Sequence, residues 1–432
     1  MSETDHTSMS NPGAAEGKEM ESQSPSPNIA AVEFPEGGAQ AWLTVLGGWM
    51  IVFCTFGAIQ SYGVYQDYYT RESLSEYPTS DISWIGSVQI FFLFSLGLFS
   101  GKLFDHGYFR HLLVVGSFIY LFSSFMLSLV KPHRYYQNFL AQGVGMGVGM
   151  GILFLPSLSV SAHYFRRKRG LTMGIIIAGS SVGAVLYPIM LNHLFVSVGF
   201  GWAVRIVSFL DLFLLVSANC IMRTRLPPAQ WDGSIYSQCR RIFKDVIFWL
   251  AVFGITFACW GLFVPIFYIQ LFASEHHESG IVESYIVAIL NAAGFFGRIV
   301  PMIMSDMWGP MSVITPMTLI SGGLVFVMLA ATKTGALVVF AILYGFFSGG
   351  VVSLAAPASA SFSVDVKEIG TRIGIMTFVT SFGLLTGNPI AGVLLHPPAY
   401  EWLKPLLFSA ITVLGGGAFM LVAWFLQMKH KT

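Results

Sequence analysis

The feature that most constrains this chain is a succession of twelve apolar stretches, from residues 42–66 to residues 403–427, separated by short segments that hold nearly all of its charge. Each stretch runs for about 18 to 26 residues, enough as a helix to cross the hydrocarbon core of a bilayer. Backbone groups inside lipid must be satisfied within the segment, so spans of this length require α-helices. With 54% hydrophobic and 10% charged residues and a mean hydropathy of +0.68, the 432 residues carry far more apolar surface than a soluble core needs. The expected fold class is an all-α membrane protein with twelve transmembrane helices.

The stretch from Tyr164 to Pro188 shows how one span follows another. Arg166, Arg167, Lys168 and Arg169 stop an apolar helix, and a second begins at once with Gly170, Gly174, Gly179 and Gly183 about one turn apart. Lys and Arg crowd one set of connections, which includes Lys102, Arg110, the 166–169 run, Arg223 to Lys244, Arg372 and Lys429. The other set holds only Arg71, Lys131, Arg134, Lys333 and Lys404. The positive-inside bias then places both chain ends in the cytoplasm. Residues 1–41, rich in Ser, Pro, Gly and Glu without apolar periodicity, are expected to be a disordered tail. Residues 42–222 and 246–427 form two halves, joined by a cytoplasmic loop over 223–245, and 428–432 are a short tail.

The halves repeat in register. Asp105 and Asp306, Pro156 and Pro357, and Pro188 and Pro389 each stand 201 residues apart, and Gly174 and Gly374 stand 200 apart. Two pseudo-symmetric six-helix halves with a site between them near the midplane are a transporter architecture.

Several classes of function are excluded. A net charge of +1 gives no basic field for nucleic acid. Cys54, Cys220, Cys239 and Cys259 fit no zinc spacing, and no metal or other cofactor is expected. The run Gly143, Gly145, Gly147, Gly149, Gly151 lies inside an apolar span, so it is a packing seam through 143, 147 and 151 rather than a phosphate-binding loop. No hydrolase motif or His cluster marks an enzyme. Trp42, Trp84, Trp202, Trp249 and Trp402 near span ends are interfacial anchors.

Each half then places an Asp where a span ends. Asp105 lies in the segment Gly101 to Arg110, and Asp306 in Gly297 to Pro310, both beside glycine turns. One reading makes each Asp a cap on its own turn. The other makes them a latch between halves. There Asp105 meets the start of span eleven near Arg372, and Asp306 the start of span five near Arg169, with Arg110 close to the first.

These paired Gly-x-x-x-Asp-x-Gly-like loops, with twelve spans and a basic central loop, resemble the major facilitator superfamily. Pro35 to Gly38 running into Ala41-Trp42, together with the Tyr164 to Gly183 stretch, resemble its monocarboxylate porters, especially the fungal branch. The resemblance implies the major facilitator fold, alternating access driven by a proton gradient, and an Arg in the eighth span that binds a carboxylate. Arg298 matches that Arg, eight residues before Asp306 on an apolar helix. A guanidinium at that depth is costly unless it faces a cavity or a partner, although an Arg near the helix end snorkels. Two positions depart from the family: its first-span Lys falls at Ile59 or Gln60, and its eighth-span Asp falls at Gly294. The family's proton-linked charge pair is therefore missing, which favours a larger or neutral substrate.

Other polar groups interrupt apolar runs. Gln60, Tyr62, Gln142, Tyr268, Asn291 and Asn388 are candidates, with Arg298, for contacting substrate, and each also fits an interhelical hydrogen bond of about 1 kcal/mol. Asp211 is the one carboxylate deep in a span. It is a candidate proton carrier or half of a structural pair, and Arg205, six residues earlier, lies on another face. The sequence thus describes a monomeric secondary transporter of a small organic solute, a monocarboxylate or related acid, in the plasma membrane. Its alternatives are an exporter of a secondary metabolite and a membrane sensor that binds without transporting.

Overall fold

The structure, a computed structural model, describes residues 35–226, 235–276, 280–363, 369–395 and 401–431. Regular structure among them is entirely helical. The membrane-spanning helices of the first half are α1 Ala39–Ser73, α2 Ser80–Asp105, α3 Phe109–Leu127, α4 Tyr135–His163, α5 (169–198) and α6 (200–221). Those of the second half are α7 Val246–Glu275, α8 Tyr285–Trp308, α9 Pro310–Ala330, α10 Thr334–Ala360, α11 Ile369–Leu394 and α12 Leu403–Lys429.

Helices α5 and α6 follow one another directly over the 53 residues from Arg169 to Ile221. A straight helix of that length would reach about 80 Å, more than twice a hydrocarbon core. The chain reverses instead at Gly199, whose φ of 77° lies outside the helical region and suits only glycine. A kink therefore stands where a loop between spans five and six was expected.

Three other boundaries differ from expectation. Helix α1 begins at Ala39, inside the expected tail, and continues to Ser73 through π-helical turns at Phe53–Gly57 and Tyr69–Ser73. The central connection contains a helix, Ile235–Lys244, with Arg241 and Lys244 in its last turn. The last helix extends to Lys431, where the sequence predicts a C-terminal tail.

Glycine sets the helix spacing. A Cβ at Gly143 would lie 3.1 Å from the Ile85 carbonyl and one at Gly147 3.1 Å from Gln89, and Gly151 abuts Phe92, so this seam of α4 seats α2. Gly145 and Gly149 point the other way, against Ser123 and Tyr120 of α3. In α5, Gly179 and Gly183 meet the Trp49 and Phe53 carbonyls of α1, while Gly174 meets Arg298 and Met302 of α8. The halves join along α5 with α8 and α2 with α11, and the second contact mirrors the first: Gly374 of α11 packs on Leu98 of α2. Large apolar side chains such as Phe118, Phe213 and Phe296 stand exposed on the outside, where lipid solvates them.

The two segments that carry the porter resemblance touch each other. Glu36, held at a φ of 50°, accepts the backbone N–H groups of Arg166 at 2.8 Å, Arg167 at 2.6 Å and Lys168 at 3.3 Å. Its own amide donates to the Tyr164 carbonyl at 3.1 Å. Successive amides make a concave anion site, so the basic turn between α4 and α5 is closed by a glutamate from the segment preceding α1.

Candidate substrate site

Arg298 stands ten residues before Trp308, about 15 Å from that end of α8 and so near mid-membrane. It is 3% exposed, which a guanidinium tolerates only with partners. Its Nη2 donates to Gln60 Oε1 of α1 at 2.9 Å, and its guanidinium lies 6.0 Å from the Phe56 ring centroid. Nε and Nη1 of Arg298, Nε2 of Gln60 and Oγ of Ser181 in α5 are all buried without a hydrogen-bond partner among the described residues. A Cβ placed on Gly294 would lie 3.5 Å from Arg298 Nη1 and 3.6 Å from Ser181 Oγ, so those atoms border one space at the junction of the halves.

Unpaired buried donors cost about 1–3 kcal/mol each, so this is where a ligand oxygen has most to offer. The guanidinium nitrogens and the amide nitrogen can only donate, and the serine can do either. Beside them Phe56, Phe94 and Phe154 from the first half and Phe263 from the second border a cavity that also meets Ser353 and Thr377. It measures about 40 Å³, space for water and not for an organic solute. A solute beside Phe56 needs more room than this cavity gives.

The start of α1 and the end of α12 lie on one face, because an even number of spans separates them. On that face Asp306, at the end of α8, accepts the N–H groups of Gly170 at 3.2 Å and Leu171 at 3.3 Å, the first turn of α5. Gly170 leaves the carboxylate room to approach, since a Cβ would lie 2.6 Å from Asp306 Oδ2. At the related position Asp105 of α2 lies against α11, its Oδ2 2.9 Å from where a Cβ on Gly370 would be. The cations near these carboxylates do other things. Arg372 is 2% exposed and pairs at 2.7 Å with Asp245, which caps α7 by accepting the Phe248 amide at 3.0 Å. Its guanidinium also lies 4.8 Å from the Phe248 ring centroid. Arg110 donates to the Asn219 carbonyl of α6 within its own half. No ion pair among the described residues joins Arg169 to Asp306. At Asp306 the expected cationic receiver is thus replaced by backbone amides, because the positive end of α5 arrives closer than its side chains.

The remaining candidates are spread out. The Tyr62 hydroxyl donates to the Ile82 carbonyl at 2.6 Å, and Gln142 Oε1 accepts from Tyr69 at 2.6 Å. Tyr268 donates to the Asn388 carbonyl at 3.3 Å, and Asn291 Nδ2 bonds back to Val287 of its own helix at 3.0 Å. Of the seven, Gln60 and Arg298 are the pair hydrogen-bonded to each other across the halves. Asp211 is fully buried among α1, α3, α5 and α6, lies 2.8 Å from the Tyr120 hydroxyl, accepts from that of Tyr187, and has the Cys54 thiol beside it. Arg205 is engaged elsewhere, with Ser128 at 3.2 Å and over the Trp202 ring. Sequence reasoning missed Ser181 and Phe56, and the signal for Ser181 was its place among the glycines of α5.

This arrangement, twelve helices in two related halves about a buried polar interface, defines a membrane carrier and not an enzyme. The sequence model of the Major Facilitator Superfamily matches residues 45–334, and the chain belongs to that family. It is 41% identical over 385 residues, 89% of this chain and 77% of the other, to the aspyridones efflux protein of Emericella nidulans. It is 37% identical over 401 residues to the fujikurins efflux protein of Gibberella fujikuroi, covering 92% and 85% of the two chains. An MFS transporter of Aspergillus flavus is 38% identical over 402 residues, 93% and 90%. Among solved structures, the major facilitator transporter FucP in its outward conformation superposes with a TM-score of 0.66 at 13% identity, covering 89% of this chain and 99% of that one, a likeness of fold. The chain is a fungal-branch secondary transporter that moves a small organic solute by alternating access.

Proposed function

We propose that this transporter exports a secondary metabolite bearing an acidic or otherwise oxygen-rich head on an apolar body, rather than importing a simple monocarboxylate. The observation that carries this reading is the composition of the site. Arg298, with unpaired nitrogens of its own and unpaired atoms on Gln60 and Ser181, lies 6.0 Å from the Phe56 ring, and Phe56 packs on Phe94, Phe154 and Phe263. Donors facing one space suit an oxygen anion or a polarised carbonyl, and the phenyl wall suits hydrocarbon or ring. The names of two relatives, each an efflux protein for a stated metabolite, favour the same direction. The neutral Gln60 and Gly294 lack the charge pair of the porters it resembles.

The test is to delete the gene in its own host and follow metabolites inside and outside the cell by mass spectrometry. Export predicts that at least one acidic product accumulates inside and falls in the medium. The wild-type chain restores it and Arg298→Ala does not. Depletion of an internal acid pool together with loss of its uptake from the medium would establish the monocarboxylate reading instead.

A further inference from the structure

The buried Asp211 cluster shows more contacts than its hydroxyl hydrogens can make. Tyr120 Oη lies 2.8 Å from Asp211 Oδ2 and 3.0 Å from the Cys54 carbonyl oxygen, and Tyr187 donates to Asp211 Oδ1. A tyrosine has one hydroxyl hydrogen. With Asp211 ionised, that hydrogen goes to the carboxylate, the stronger acceptor. Tyr120 Oη and the Cys54 carbonyl are then two oxygens in contact with no hydrogen between them. With Oδ2 protonated, the acid donates to Tyr120 Oη, Tyr120 donates to Cys54 O and Tyr187 donates to Oδ1, so each contact has its own hydrogen. The Cys54 thiol faces the carboxyl as a weak donor and leaves the shortage at its carbonyl unchanged.

We propose that Asp211 holds a proton in this conformation, and that this proton ties α6 through Tyr120 to the π-helical turn of α1 that positions Gln60. The geometry on α1 supplies the link. Cys54 lies within the Phe53–Gly57 π-turn, and Gln60 follows three residues after that turn on the same helix. π-turns inside α-helices recur at functional sites. Ionisation withdraws the Tyr120 hydrogen from the Cys54 carbonyl, so α1 loses its anchor to α3 and Gln60 its fixed approach to Arg298. The groups facing Asp211 are Cys54 and Tyr65 of α1, Tyr120 of α3 and Tyr187 of α5, and no cation among the described residues pairs with it. The proposal rests on Gln60 and Arg298 being the substrate site.

Neither of two measurements on the full chain in lipid nanodiscs needs a substrate, so they fail independently of the export reading. The first is infrared difference spectroscopy across pH. A protonated-carboxyl C=O band is expected near neutrality, absent from Asp211→Asn and shifted in frequency in Tyr120→Phe, which keeps the acid and removes its acceptor. The second is hydrogen exchange of the α1 amides over residues 54–60, corrected for intrinsic rate. Exchange is expected to rise about tenfold in wild type as that band titrates away, and to be fast in Tyr120→Phe at every pH, a tenfold change being the scale of one hydrogen bond. A band that persists in Asp211→Asn, or no such band at any pH, overturns the proton assignment. A band that titrates while exchange at 54–60 stays flat in both proteins overturns the link to Gln60.

Discussion

Gln60 of α1 and Arg298 of α8 are joined by one hydrogen bond of 2.9 Å between opposite halves, and it is a bond from a charged donor to a neutral acceptor. That choice matters for a carrier. A neutral amide holds a buried guanidinium in place yet releases it when a better acceptor arrives. A carboxylate in the same place would form an ion pair whose rupture leaves two uncompensated charges.

Gln60→Glu is therefore expected to fold and to transport poorly. Breaking a buried pair costs about 3–5 kcal/mol, so turnover should drop at least about 100-fold while the melting temperature of purified protein rises. Complementation of the deletion strain gives the turnover, and thermal unfolding in detergent gives the stability. Undiminished export would mean that the Gln60–Arg298 contact is not broken during transport.

Removing the Asp306 carboxylate should open the face on which α1 begins and α12 ends. Asp306→Ala loses two hydrogen bonds from α5 amides to a charged acceptor, each worth about 1.5–3 kcal/mol. A loss of that size moves a two-state population by tenfold or more. With Ser353→Cys as a reporter beside the cavity, a membrane-impermeant maleimide added on that face should label the Asp306→Ala background about tenfold faster. Gly170→Ala, which crowds the same carboxylate, should act in the same direction. Equal labelling in all backgrounds would reduce Asp306 to a cap on α5.

The number and order of the helices were legible because lipid imposes length and apolarity on every span, and the 201-residue repeat marked the paired contacts of Asp105 with α11 and Asp306 with α5. Arg298 was legible because a cation is conspicuous among apolar neighbours. What that reading did not give was the partner of each group. Arg372 turned to Asp245, a residue the sequence places in a loop, because the start of α7 packs beside α11. Ser181 looked like one more small residue in α5 and becomes a site residue only through the distance that Gly294 and Arg298 set. The break at Gly199 was read as a loop because apolar pattern records span lengths and not dihedral angles.

The seal between Glu36 and the basic turn should be sensitive to acid. Burial pushes Glu36 up, but the amides of Arg167, Arg166 and Lys168 outweigh it and hold the carboxyl below the ordinary glutamate range. A carboxylate lowered by folding stabilises fully above its unfolded pKa and loses that contribution as pH falls through the folded value. Amide exchange over residues 166–168 should thus be slow at neutral pH in wild type and faster in Glu36→Gln. The two proteins should converge well below about pH 4, once the glutamate is protonated. Identical exchange at neutral pH would show that the turn holds its shape without Glu36.

Gly294→Asp is the substitution that tests what the site is for. The position is open enough, since a Cβ there meets the Gly345 carbonyl at 3.4 Å and Arg298 Nη1 at 3.5 Å, ordinary contacts. A carboxylate one turn before Arg298 would take the unpaired guanidinium N–H groups that now face the junction of the halves. If those donors recognise an oxygen-bearing head, the new Asp competes with the substrate inside the site. Export should then fall by at least about tenfold, through weaker binding rather than misfolding, since losing one charge-assisted hydrogen bond is worth about 1.5–3 kcal/mol. Export assayed at raised internal substrate should recover in part, because competition for one guanidinium raises KM before it lowers the maximal rate. Export unchanged in Gly294→Asp would instead assign Arg298 to joining the helices, with the phenyl wall doing the recognising.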